Sequence, residues 1–153
     1  MQPKPQKRHK ALQPLSREHH QGLLLSWKIR AGFSKDINPK RIRAYANWFF
    51  KNHLMPHFEL EETYVFTILD AENEMIKRGL AEHRRLKRLF ADTSDDIKIL
   101  SKIEEALEQH IRFEERILFP EIQNVATQAQ WRQIELIHQP EKFIDNEIDV
   151  FWK

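Results

Sequence analysis

At 153 residues, with 41% hydrophobic and 31% charged side chains, the chain is sized for one soluble domain with a core of its own. A net charge of +2 is too small to demand a nucleic-acid partner, and the lack of cysteine excludes disulfides and thiolate metal ligands. No apolar run approaches the ~18 residues of a membrane span, so a cytoplasmic protein with no membrane contact is expected.

Three glycines set among many Leu, Ile, Glu, Lys and Arg favour helix. The opening MQPKPQKRHK holds much of the positive excess and two prolines, so residues 1–11 read as a basic, disordered arm. A first helix is expected over 15–32, opened by Pro14. Asn38 and Pro39 supply the N-cap and first residue of a second, which continues towards Leu69 and should kink at Pro56. The third covers about 71–90, and DTSDD caps a fourth that runs to about Val125. Thr127 and Gln130 form a capping box for a shorter segment ended by Pro140, and the amphipathic EKFIDNEIDVFWK should dock on the rest. Short connections between long helices predict an all-α, up-down-up-down four-helix bundle over 12–125, with 126–153 as a short helix and tail.

Steps of three and four trace the seam that each helix should bury. The first reads Leu15, His19, Gly22, Ser26, Ile29, and the second Phe50, Leu54, His57, Glu61, Tyr64, Ile68. The third reads Ile76, Gly79, His83, Leu86, Phe90, and the fourth Leu100, Ile103, Leu107, His110, Glu114, Ile117. Every seam thus contains a histidine, and two add a glutamate. Such groups are costly to bury without a partner.

The halves of the chain also repeat. REHH around His19 matches AEHR around His83, and HFELEETYVF (57–66) matches HIRFEERILF (110–119). A His and a Glu four apart share a helix face, so the imidazole can bind one metal while the carboxylate bridges to a second. Packed about a pseudo-twofold axis, the two pairs would converge four imidazoles and two carboxylates, a donor set suited to iron, manganese or zinc. His83 and His110 stand out of register across their turn by roughly six residues, about 9 Å of helical rise, which the ADTSDD connection must absorb. His20 competes with His19, Glu62 and Glu115 compete with Glu61 and Glu114, and His53 offers a further imidazole. His9 and the four tryptophans read as tail and packing residues. Positions three before the seam histidines are Ser16, Leu54, Leu80 and Leu107, which argues against the paired Glu-x-x-His of ferritin-like oxidases.

His19, His57-x-x-x-Glu61, His83 and His110-x-x-x-Glu114 resemble the hemerythrin-like HHE cation-binding family over roughly residues 12–125. The resemblance implies a carboxylate-bridged centre of two iron ions, with His19, His57, His83 and His110 as terminal ligands and Glu61 and Glu114 as bridges. Oxygen-carrying members have another histidine one turn from the third-helix ligand. Here Gly79 and Lys87 stand there, which argues against reversible oxygen storage. The leading expectation is a protein that binds or senses dioxygen or nitric oxide, or takes part in iron or oxidative-stress handling. The alternatives are a di-iron enzyme acting on oxygen, peroxide or nitric oxide, with Tyr64 as a proton source, and a metal-free helical interaction module.

Overall fold

The structure, a computed structural model, describes residues 7–138 and 141–153, and every regular element in them is helical. Helix α1, Gln13–Ser34, follows a single 3-10 turn, Lys10–Leu12. Helix α2 spans 39–68 and α4 spans 96–125, each as a continuous but irregular run. Helix α3 is Glu74–Ala91 and the short α5 is Gln128–Ile137.

The caps follow from the residues at the breaks. The Asn38 side chain accepts from the Lys40 amide with Pro39 at the first helical position, and Asn73 and Asp95 cap α3 and α4 in the same way. The capping box of Thr127 and Gln130 is formed in both directions. Pro140, expected to end that segment, lies outside the described residues. Helix α1 closes with bonds from the Ile37 amide to Gly32 O (2.9 Å) and from the Asp36 amide to Phe33 O (3.1 Å). Asp36 takes the left-handed φ of 54° that this termination needs. Helix α3 starts three residues later than expected because Asp70–Asn73 form a turn of their own, Asn73 N to Asp70 O being 2.9 Å.

Three π turns interrupt the long helices: Phe50–Leu54 and Glu61–Val65 in α2, and Glu114–Leu118 in α4. Each inserts a residue and slips the buried seam by one position. Phe49, Val65 and Leu118 are buried where Phe50, Tyr64 and Ile117 were expected, and Ile117 is 47% exposed. Two of these turns end just before Met55-Pro56 and Phe119-Pro120. The widened ring makes room where an α-helical carbonyl would meet the proline. Pro56 is thus accommodated by a π turn immediately before it.

The buried side chains form two apolar clusters. One gathers Leu25 and Ile29 of α1, Phe49 and Phe58 of α2, Leu86 of α3, and Leu100 and Leu107 of α4. The other gathers Leu15, Val65, Phe66, Ile76, Leu118 and Phe119, with Trp131 of α5. On each long helix the seam histidine falls between residues of these two clusters. Across the offset turn, Asp92 and Asp95 are extended (ψ 120° and 102°). Residues 92–95 are all non-helical, and Ser94 bends back so that its amide donates to Asp92 Oδ1 at 2.9 Å. Arg43 clamps the turn, donating to Phe90 O at 2.6 Å and lying 3.7 Å from Asp96.

Both ends of the described chain are tied down. Of the arm expected to be disordered, residues 7–11 are packed: Arg8 donates to Gln123 Oε1 (3.0 Å) and Glu115 O (2.7 Å), and His9 stacks on Trp131 at 4.0 Å. Ala11 and Leu12 are buried against α5 and α1 neighbours, so apolar burial outweighs the arm's charge. At the other end Phe151 enters the core, and the buried Lys28 donates to Asp145 Oδ2 and to the Tyr45 hydroxyl, both at 2.7 Å.

Candidate metal centre

His19 on α1, His57 and Glu61 on α2, His83 on α3, and His110 and Glu114 on α4 converge between the two apolar clusters. All six are buried, Glu61, His83 and Glu114 with no exposure at all. His19, His57, Glu61 and Glu114 offer donor atoms within 4.8 Å of one another, and so do Glu61, His83, His110 and Glu114. The two groups share both carboxylates. Glu114 Oε1 lies 2.9 Å from His19 Nε2 and 3.2 Å from His110 Nε2, while Glu61 Oε1 lies 3.3 Å from His57 Nε2 and 3.2 Å from His83 Nε2.

The outward ring nitrogens are all engaged by carboxylates. Nδ1 of His19 faces Glu115 at 2.6 Å, that of His57 faces Glu18 at 2.7 Å, that of His83 faces Glu62 at 2.7 Å, and that of His110 faces Glu82 at 2.6 Å. In a neutral imidazole whose Nδ1 donates outward, Nε2 presents a lone pair to the centre. The four outer carboxylates are themselves paired: Glu18 with His138 (2.8 Å), Glu115 with Arg8 (3.4 Å), Glu82 with Arg78 (2.9 Å) and Glu62 with Lys87 (3.7 Å).

Several inward atoms have no hydrogen-bond partner: both oxygens of Glu61, Oε2 of Glu114, and Nε2 of His83 and His110. Orphaned groups at such depth are costly, and a cation among them would satisfy them together. Nitrogen and oxygen donors of this kind fit a first-row transition metal.

Electrostatics without an ion are strained in a telling way. Burial works against charge on His110, yet the adjacent Glu114 raises its pKa to about 10. Burial and the charge of Glu114 push Glu61 up to about 8. Glu114, despite burial, is held well below the carboxylate range by His110 and His19. His19 and His83 are also raised, their bonds to glutamates overcoming burial. Protons therefore stand in for positive charge in the metal-free cluster.

The rivals fall elsewhere. His20 is exposed and points away from the cluster, and the half-buried His53 packs on Trp48, Phe49 and Phe143. Glu62 and Glu115 meet the outward nitrogens instead of the centre. Tyr64, expected in the seam, is half-buried against the second cluster. A side chain at Gly79 would meet the Phe66 ring at 3.2 Å, and that ring stacks on His83 at 5.2 Å. Phe66 thus occupies the space beside Gly79. The sequence reading missed Glu18, Glu82, Arg8 and His138. The repeated Glu-His dipeptide was the available signal for the first two.

Fold and site together define a helical cation-binding protein of the histidine–carboxylate kind. The chain matches the model of the hemerythrin HHE cation-binding domain over residues 7–122 and again over 67–139, and it belongs to that family. Comparison with curated proteins and with solved structures gives no match. Among the described residues, no helix is long and apolar enough to cross a membrane.

Proposed function

We propose that this chain is a non-haem di-iron protein that binds or senses a small ligand such as dioxygen or nitric oxide. In this reading His19 and His57 hold one ion, His83 and His110 the other, and Glu61 and Glu114 bridge them. The observation that carries it is that two tetrads of donors share both carboxylates, with unpartnered buried atoms facing inward. One ion would use only part of such a set. Manganese or zinc suits the same donors, and the family supplies the preference for iron.

When bound, the metals would supply Lewis-acid and redox chemistry at positions the protein leaves open. The chain's own share is to fix four imidazoles by their Nδ1 bonds and to cover His83 with Phe58 and Phe66 and His19 with Phe119. Along α1 and α3 the second apolar cluster precedes the histidine and the first follows it, while along α2 and α4 the order reverses. That alternation supports an up-down-up-down course for the four long helices. A cytoplasmic setting accords with this reading.

Elemental analysis of purified protein with its visible absorption spectrum tests the proposal. Two equivalents of iron per chain, with a spectrum that shifts on adding nitric oxide, are expected. Negligible iron, manganese and zinc after growth in metal-replete medium would instead favour a helical interaction module.

A further inference from the structure

A cavity of about 270 Å³ reaches the centre on the side of His19, His57 and His110. Its deep end is formed by His19, His57, His110 and Glu114, while Glu61 and His83 are not among its walls. His83 is sealed instead between Phe58, stacked at 3.9 Å, and Phe66. Phe49, Leu54, Phe58 and Phe143 supply the apolar walls, and the exposed Arg17, Glu141 and Lys142 complete the lining on the solvent side. Phe143 belongs to the tail beyond the five helices. It lies 4.7 Å from the His53 ring and 6.1 Å from Phe49, and Asp145 two residues on anchors it to Lys28.

The volume is far more than a diatomic needs. A water-sized ligand takes about 30 Å³, and an apolar cavity of about 150 Å³ already accommodates benzene. The remainder suits a small polar head at the end where the imidazoles of His19, His57 and His110 line the cavity. We propose that this chamber binds an aromatic molecule with an anionic oxygen head, of the benzoate or phenolate kind. Its ring lies among Phe49, Leu54, Phe58 and Phe143, and its head lies at the His19–His57 edge. This rests on the metal reading, because the head needs a cation beside the buried carboxylates.

Zinc-loaded protein is titrated with 4-fluorobenzoate and followed by fluorine NMR, with acetate as the ringless competitor. Saturable binding roughly tenfold tighter than acetate is expected, the increment that burying a ring supplies. Leu54→Trp, which fills the chamber, should abolish it while zinc content holds. Phe143→Ala should weaken it at least about threefold, and it decides the matter if the first variant does not fold. Affinities equal to that of acetate, or full binding by Phe143→Ala, overturn the chamber while leaving the metal centre standing. A parent protein that takes up no zinc, iron or manganese overturns both.

Discussion

Glu82 is the chain neighbour of His83, yet its Oε1 accepts from Nδ1 of His110, 2.6 Å away on α4. Glu18, next to His19, does the same for His57 at 2.7 Å. Each Glu-His dipeptide therefore serves two imidazoles: one directly, and one on a facing helix. Glu82→Gln keeps the size but weakens the bond that orients His110. It should lower metal affinity about 10–100-fold with the fold intact, as should Glu18→Gln. Competition against a chelator measures this, and affinities within about twofold of the parent would contradict it.

His57→Ala and His110→Ala each remove a buried donor and should lose most of the bound metal. His20→Ala changes an exposed side chain and should keep full metal content, as should His9→Ala. Equal loss from all four would show that metal content here reports general unfolding and not ligation.

The metal-free protein should lose stability as pH rises. His110 is raised from 6.5 to about 10 and Glu61 from 4.5 to about 8, so across these windows the folded state holds more protons than the unfolded. The slope of unfolding free energy with pH is then negative. Their stabilisation is complete below the unfolded values and disappears as pH climbs through the folded ones. Glu114 and Glu18 are shifted down, so their contribution is lost only on the acid side of 4.5. Metal binding requires His110 and Glu61 deprotonated, so metal affinity should strengthen with pH. Melting curves at about pH 6, 7.5 and 9 with and without metal separate the two trends. A metal-free Tm that climbs over that range would refute the assignment.

The π turn at Glu114 sets which residue of α4 is buried. Leu118 is fully buried and Ile117 is 47% exposed. Leu118→Ala should therefore cost about 2–5 kcal/mol by cavity formation, whereas Ile117→Ala should stay within about 0.5 kcal/mol. Urea unfolding of the two variants checks it. An uninterrupted α-helix would give the reverse order.

The tail carries a further test. Asp145 answers the buried charge of Lys28, and Asp145→Ala leaves that charge to Tyr45 and the Trp152 ring, 4.0 Å away. A loss of about 2–4 kcal/mol is expected. A change under about 0.5 kcal/mol would show that the tail contributes little.

Local chemistry alone determined a good deal here. Caps at Asn38, Asp95 and Thr127, four seams each with a histidine, and the doubled His-x-x-x-Glu-Glu could all be read because they depend on residues within a few positions of one another. The seams failed only past Glu61 and Glu114 and before Leu54. A π turn has no separate compositional signal, and a period of 3.6 cannot foresee one added residue. What the tertiary structure alone decided was pairing across helices: which carboxylate faces Nδ1 of which imidazole, where the tail lays Phe143, and how the ADTSDD turn absorbs its offset. Those contacts join residues up to 117 positions apart, and chain order does not encode a distance that only packing closes.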